Sequence, residues 1–393
     1  MLDENMKEIM FDLICGRERP ESVTDEDALY LFEALASQGI SAALYREIEA
    51  WDFSAPIMEL YRTRCEGFVR NNYRLWFETR ALVNLFLENE IPCVVLKGPV
   101  TAVCYPIPEH RKSGDIDILV PESYIDKAVS AAASRGYAGS KESYAIHEVG
   151  MYSPEGIVLE IHKFFADEWS DPEVNEFIKE IRMPAISTAV EVDIMPGMRL
   201  PGLREDYHAF YLLIHMVNHF VRKGFDLKLL MDWKCFFSTE FPDDLKDSLM
   251  GMIKRGKMST FTSAVTLICV KKMGLDRENC EFLISEEVSD EILESFLDEI
   301  IDSQISGVKD SSRMIAAESD SLWGLFKAFH GEMVRQHRKA ARCFLFWPVL
   351  WVMTYVNFLR NNKKYNRNTS TAQVIKSSRE RSRYRKQLKL FEK

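Results

Sequence analysis

Asp115-Ile116-Asp117-Ile118-Leu119-Val120 is the stretch on which the fold turns. In an extended chain residues i and i+2 share a face, so a strand here sends Asp115 and Asp117 one way and Ile116, Ile118 and Val120 the other, into a core. Upstream, Ile91-Pro-Cys-Val-Val-Leu96 is a short apolar run closed by Lys97-Gly98. It is too short for a helix and is bounded by breakers, as a buried strand would be. Pro99 suits the first helical position, which makes Gly98 the N-cap of a brief helix that Pro106 and Pro108 stop. Downstream, residues 122–135 read as a helix ending near Gly136, and residues 145–152 and 157–161 as two further strands. The order β-α-β-α-β-β predicts an α+β fold, a small mixed β-sheet with helices beside it.

The regions on either side are helical in pattern. Residues 25–36, 41–50 and 57–88 repeat apolar positions at helical spacing, and so do 207–222, 227–237, 245–270 and 289–305. We therefore expect an N-terminal helical region (1–90), the sheet domain (91–200), a helical domain (201–342) and an aromatic segment with a basic tail (343–393). A chain of 393 residues with 47% apolar and 28% charged side chains has the length for two or three domains with real cores. Its eight cysteines never fall as C-x-x-C, and its acidic start lacks the basic n-region of a signal peptide. A cytoplasmic protein with free thiols is expected.

The net charge of -10 is unevenly spread. Residues 335–393 hold 16 Lys and Arg against two acids, and the remainder of the chain is acidic. An anionic membrane or nucleic acid would therefore meet the tail. Within it, residues 343–359 carry no charge, are fenced by basic residues, and include two Trp and a Tyr. Three readings stand: a buried helix, an interfacial membrane segment, or a span at the lower length limit. Residues 361–373 read as a linker and 376–393 as a solvated basic helix or a disordered arm.

Chemistry concentrates around the two aspartates. Carboxylates side by side require cations, and hard oxygen ligands on one strand suit Mg²⁺ or Mn²⁺. Val158-Leu-Glu160-Ile-His162 offers a third acid, because alternation puts Glu160 and His162 on one face and Leu159 and Ile161 on the other. Lys97 and the helix start at Gly98 are candidates for holding phosphate, as are Arg111 and Ser113 just ahead of the first aspartate. Lys97 reads equally as a strand-end charge and Arg111 as a loop cation. His147 and His162 are either substrate contacts or hydrogen-bonded structural residues. His215 and His219, spaced i, i+4, line the cleft, make structural hydrogen bonds to Asp232, or bind a transition metal. Residues 190–194 alternate as well as 115–120 do, but they run into Pro196-Gly197 without a preceding Lys-Gly or Arg and are set aside as a chemical site.

The pattern Val94-Val-Leu-Lys-Gly98, Tyr105-Pro106, Arg111, Asp115-Ile-Asp-Ile-Leu-Val120, Gly136-Tyr137, His147 and Leu159-Glu-Ile-His162 resembles the uncharacterised nucleotidyltransferases of the DNA polymerase beta superfamily. Upstream ALYLFEALASQGI and downstream His215, His219, Asp232 and Trp233 extend the likeness over residues 25–240. The resemblance implies a polymerase-beta-like catalytic sheet, divalent metal on Asp115 and Asp117 with Glu160 as third acid, and movement of a nucleoside monophosphate from an NTP to an acceptor with release of pyrophosphate. The acceptor (small molecule, protein or RNA) is not implied. The alternative is an inactive scaffold that docks on an anionic membrane surface or nucleic acid through residues 343–393, peripheral to the inner membrane.

Overall fold

The computed structural model describes residues 3–139, 147–169, 171–222, 226–285, 287–305, 322–337, 340–364 and 382–392. Its centre is a six-stranded mixed sheet. In chain order the strands are β1 (Val94–Val95), β2 (Asp115–Leu119), β3 (Glu148–Tyr152), β4 (Val158–His162), β5 (Val190–Met195) and β6 (Met198–Gly202). They lie side by side as β3-β4-β2-β1-β6-β5. β2 runs parallel to β4 and β1 parallel to β6, and the other pairs are antiparallel.

The four strands expected from the sequence are present as β1 to β4; β5 and β6 add a hairpin that sequence reasoning did not join to the sheet. Pro196-Gly197 makes its turn, with Gly197 at φ 79. Of the two acids of this hairpin, Glu191 and Asp193, the exposed Asp193 is paired across the turn to Arg199 (Nε to Oδ1, 2.5 Å) at the far edge of the sheet.

Alternation sorts the strand residues between two cores. Val95, Ile116, Ile118, Val149, Met151, Leu159 and Ile161 pack against Leu75, Trp76, Leu82, Val83 and Phe86 of the helix Ala55–Glu88 and against Ala128, Ala131 and Ala132 of Ile125–Ser134. Their neighbours Val94, Leu96 and Leu119 face the opposite way and belong to the larger cluster of the helical region. The 34-residue helix Ala55–Glu88 contributes Met58, Tyr61 and Cys65 to that larger cluster from its first half. One side of the sheet is thus sealed by two helices, and the other looks toward the helix Glu205–Arg222.

Two differences from the sequence reading have simple causes. Residues 245–270 form two helices, Asp243–Arg255 and Ser259–Met273, because the chain turns at Gly256-Lys257 with Lys257 at φ 54. Residues 382–392 are not a solvated arm. Leu388 and Leu390 are fully buried, the Tyr384 hydroxyl donates to the Ser295 carbonyl, and Phe391 stacks on Trp169. The apolar residues of this segment decide its place although basic residues equal them in number. Residues 376–381 and 393, and the start of the third predicted strand at 145–146, lie outside the described residues.

Residues 343–359, left open between burial and membrane, form a short turn Phe344–Phe346 followed by the helix Trp347–Lys364. This helix pairs with Leu322–Gln336 around a small cluster of Met333, Ala341 and Leu350. Among the described residues, no helix is long and apolar enough to cross a membrane.

Candidate active site

The register of the parallel pair β2/β4 sets the site. Asp117 stands opposite Glu160, and Leu119 opposite His162. In a parallel ladder opposed residues share a face, so Asp115, Asp117, Glu160 and His162 are gathered on the side away from the Ile116/Leu159 core. Antiparallel β3 then adds Glu148 opposite His162. Glu148 was not singled out from the sequence; its alternation with Gly150 and Tyr152 was readable, but the strand pairing that brings it to His162 was not.

Within this face Asp117 is the centre. Its carboxylate is fully buried and accepts from His162 Nε2 (3.0 Å) and lies 3.2 Å from Lys97 Nζ, both at Oδ1. Its Oδ2 is buried without any hydrogen-bond partner, as is His162 Nδ1. Lys97 also lies 3.5 Å from Asp115, which is about a third exposed. His162 Nε2 is 3.6 Å from Glu160 and 3.7 Å from Glu148. His147, one residue before Glu148, bonds it at 2.8 Å through Nε2 and bonds Asp167 through Nδ1. Asp167 too was missed by sequence reasoning, because it lies in the loop after β4 with no periodicity to mark it.

These contacts decide the charges. Burial works against a protonated His162, but its bonds to Asp117 and Glu160 outweigh that and push it up to about 10. His147 is raised for the same reason by Asp167 and Glu148. Lys97 is desolvated, yet Asp115 and Asp117 hold it well above the ordinary lysine value. Glu148, despite burial, is drawn below the usual carboxylate range by His147 and His162. Two cations, Lys97 and His162, therefore sit among the acids.

The donor set fits a divalent cation. Ligand atoms of Asp117, Glu160 and His162 lie within 4.8 Å of one another, and so do those of His147, Glu148 and His162; protonated His162 has no lone pair to give, so the carboxylates are the donors. A buried carboxylate oxygen with no partner, beside further carboxylates, is a position where a cation removes an unmet demand.

The other sequence candidates are placed differently. Gly98 is the N-cap of the short helix Pro99–Ala102, at φ 73 and ψ -120, as its position before Pro99 implied. Arg111, left open between a phosphate contact and a loop cation, is buried and grips Asp232 with two bonds of 2.7 Å, and its third nitrogen donates to Ser113 Oγ at 3.2 Å. The Tyr105 hydroxyl donates to the same aspartate at 2.6 Å. Asp232 is thereby taken up by Arg111 and Tyr105. The rings of His215 and His219 meet edge to face at 4.5 Å, and His215 also stacks on Tyr211. Burial and the charge of Lys97 keep His215 well below its ordinary value. Tyr211, His215 and His219 lie on one helix at i, i+4, i+8 and so share a face, toward the sheet. The buried His208, on the same helix, contacts Thr101 (3.0 Å) and was not foreseen. All eight cysteines are free thiols.

Residues 24–274 match the model of a family described as uncharacterised nucleotidyltransferase. A solved structure that aligns with part of the chain is an antigenic nucleotidyltransferase-like protein from Paracoccidioides brasiliensis, at 13% identity and a TM-score of 0.31 over 46% of this chain and 88% of that one. The curated proteins contain no match.

Proposed function

The chain belongs to the uncharacterised nucleotidyltransferase family, and we propose that it moves a nucleoside monophosphate from an NTP to an acceptor hydroxyl with a divalent cation, Mg²⁺ or Mn²⁺, held by Asp115, Asp117 and Glu160. The observation that carries this reading is the opposition of Asp117 to Glu160 across β2/β4 together with the unmet Oδ2 of Asp117.

In the proposed reaction the acceptor oxygen bonds to the α-phosphorus, the bond from that phosphorus to the β-bridging oxygen breaks, and pyrophosphate leaves with the bonding pair. Bound divalent metal would supply charge neutralisation for the triphosphate and the leaving oxygen. Glu160, half-buried beside Asp117, is the group assigned to take the acceptor proton. Lys97, already among the carboxylates and 12% exposed, is assigned to the phosphate chain, a donor that turns from Asp115 and Asp117 to phosphate oxygens when nucleotide enters. Protonated His162 holds Asp117 in place through the 3.0 Å bond, and the His147–Asp167 contact in turn fixes the start of β3. Arg111 is assigned no phosphate contact; it ties the loop before β2 to the helix Leu227–Phe236. A substrate-facing role for His215 and His219 rests on their position on the helix that faces the sheet.

The test is transfer of label from each α-³²P NTP, with Mg²⁺ or Mn²⁺ and a cell extract as acceptor source. Label that appears on an acceptor with wild type and not with Asp115→Asn supports the enzyme. Absence of transfer and of pyrophosphate release under every combination removes it and leaves the binding-only alternative.

A further inference from the structure

The paired helices at 322–364 present a surface that the catalytic reading does not use. Their facing sides are closed: Met333 and Leu350 are buried, Trp347 Nε1 donates to the Ala341 carbonyl at 2.8 Å, and Trp351 Nε1 donates to His330 at 3.2 Å. The opposite side is apolar where it should be polar. Phe344 is 68% exposed, Leu345 71%, Val349 60% and Val352 63%. Within the helix Trp347–Lys364, Val349, Val352, Met353 and the partly exposed Val356 follow i, i+3, i+4 spacing and form one stripe, and Phe344 and Leu345 of the preceding turn are exposed ahead of it. More than half of the exposed large apolar side chains in the described chain lie between Trp323 and Leu359. Scattered exposed apolar residues require no explanation, but a concentrated patch marks an interaction surface.

Charge selects the partner. Residues 322–364 contain eight Lys and Arg and a single acid, Glu332, in a chain whose net charge is -10. Of these, Lys327, Arg342 and Arg360 are exposed. An apolar stripe flanked by the exposed Tyr355, with Trp323 exposed on the paired helix, rimmed by cations on helices not long and apolar enough to cross a bilayer, has the chemistry of a surface lying in the lipid headgroup region. A second copy applying the same face to itself would bring two strongly basic surfaces together. We propose that this helical hairpin seats the protein on the surface of an anionic phospholipid bilayer, with Phe344, Leu345, Val349 and Val352 entering the acyl boundary. The inference stands on this surface alone and is independent of the catalytic assignment.

Full-length protein is sedimented with sucrose-loaded vesicles of phosphatidylcholine alone or mixed with phosphatidylglycerol. Binding to the mixed vesicles, weak on phosphatidylcholine and weakened by salt, is expected. Val352→Asp and Leu345→Asp, both at exposed positions, should each lower the partition coefficient about tenfold or more. Arg360→Gln should lower it about fivefold on anionic vesicles only. Each variant should keep the wild-type circular dichroism and melting profile. Absence of binding to anionic vesicles, or binding unchanged by both Asp substitutions, overturns the proposal. So does a lipid-free dimer, seen by light scattering, that Val352→Asp dissociates, since the occupant would then be a second copy.

Discussion

Two clusters of buried charge face one another between the sheet and the helical region, and they are built on opposite terms. Around Asp232 every demand is met: Arg111 gives two bonds, Tyr105 a third, and Lys228 stands 3.7 Å away. Burial alone would raise the Asp232 carboxyl, yet Arg111 and Lys228 pull it down to about 2. Around Asp117 the accounts stay open, with one carboxylate oxygen and one imidazole nitrogen unpartnered and Asp115 reaching solvent. A satisfied network joins elements that are distant in sequence, whereas an unsatisfied one keeps binding free energy in reserve for a ligand. Substitutions in the two clusters should therefore separate: one class acts on chemistry, the other on folding.

The largest effect is expected at the open cluster. Asp117→Asn keeps the shape of the side chain but removes the charge that Lys97 and His162 share. If transfer is detected in the wild type, this variant should lose about 10³-fold in kcat, with the circular dichroism unchanged. A variant that retains activity within a factor of a few would move the chemistry away from β2.

At the closed cluster the prediction is thermodynamic. Arg111→Met strands a buried Asp232 and should cost about 3–5 kcal/mol in denaturant unfolding. Adding Asp232→Leu should recover part of that loss, because it removes the stranded carboxylate, although Lys228 and the Tyr105 hydroxyl then lose their partner. A double variant as unstable as the single one would mean that the pair contributes specific geometry beyond charge compensation.

How much of this was legible beforehand differs between the clusters for a physical reason. The acidic face of β2 and β4 followed from period-2 alternation, a local property of Asp115, Asp117, Glu160 and His162. Glu148 escaped because its role comes from the pairing of β3 with β4, which alternation does not specify. Arg111 and Asp232 are separated by 121 residues, and nothing in either neighbourhood announces the other, so Arg111 read naturally as a free cation beside a phosphate site. Residues 382–392 misled in a third way. Their basic residues suggest solvent, but Leu388, Leu390 and Phe391 find the core, and apolar burial of three such side chains outweighs the exposed charges that stay outside.

A smaller effect tests the boundary between the clusters through pH. His208 lies near Arg111, and burial, followed by the Arg111 charge, pushes it down to about 4. Its folded value lies below the unfolded value of about 6.5, so the fold favours the neutral ring. That contribution is complete above pH 6.5 and is lost as the pH falls from there toward 4, with an upper size of about 3 kcal/mol. Denaturant midpoints measured from pH 7 to pH 4.5 should fall for the wild type. His208→Gln, which does not titrate, should show a visibly flatter decline, and parallel curves would reject burial of an uncharged ring.

The smallest effect concerns Gly98, between Lys97 and the helix Pro99–Ala102. Its φ of 73 and ψ of -120 fall where side chains other than glycine's are strained. A Cβ placed there would meet nothing within 4 Å, so Gly98→Ala carries backbone strain and no clash. The expected loss is about 1–3 kcal/mol, read in the unfolding midpoint. Gly202→Ala is the contrasting control, since its Cβ would come within 2.6 Å of a Val192 methyl on the paired strand and would force Val192 or the β5/β6 pairing to shift. If strain at Gly98 is relieved by moving Lys97 off Asp115 and Asp117, Gly98→Ala will raise KM for the NTP where Gly202→Ala does not. Equal effects of the two on KM would place Lys97 outside nucleotide binding and leave Gly98 with the plain duty of turning the chain.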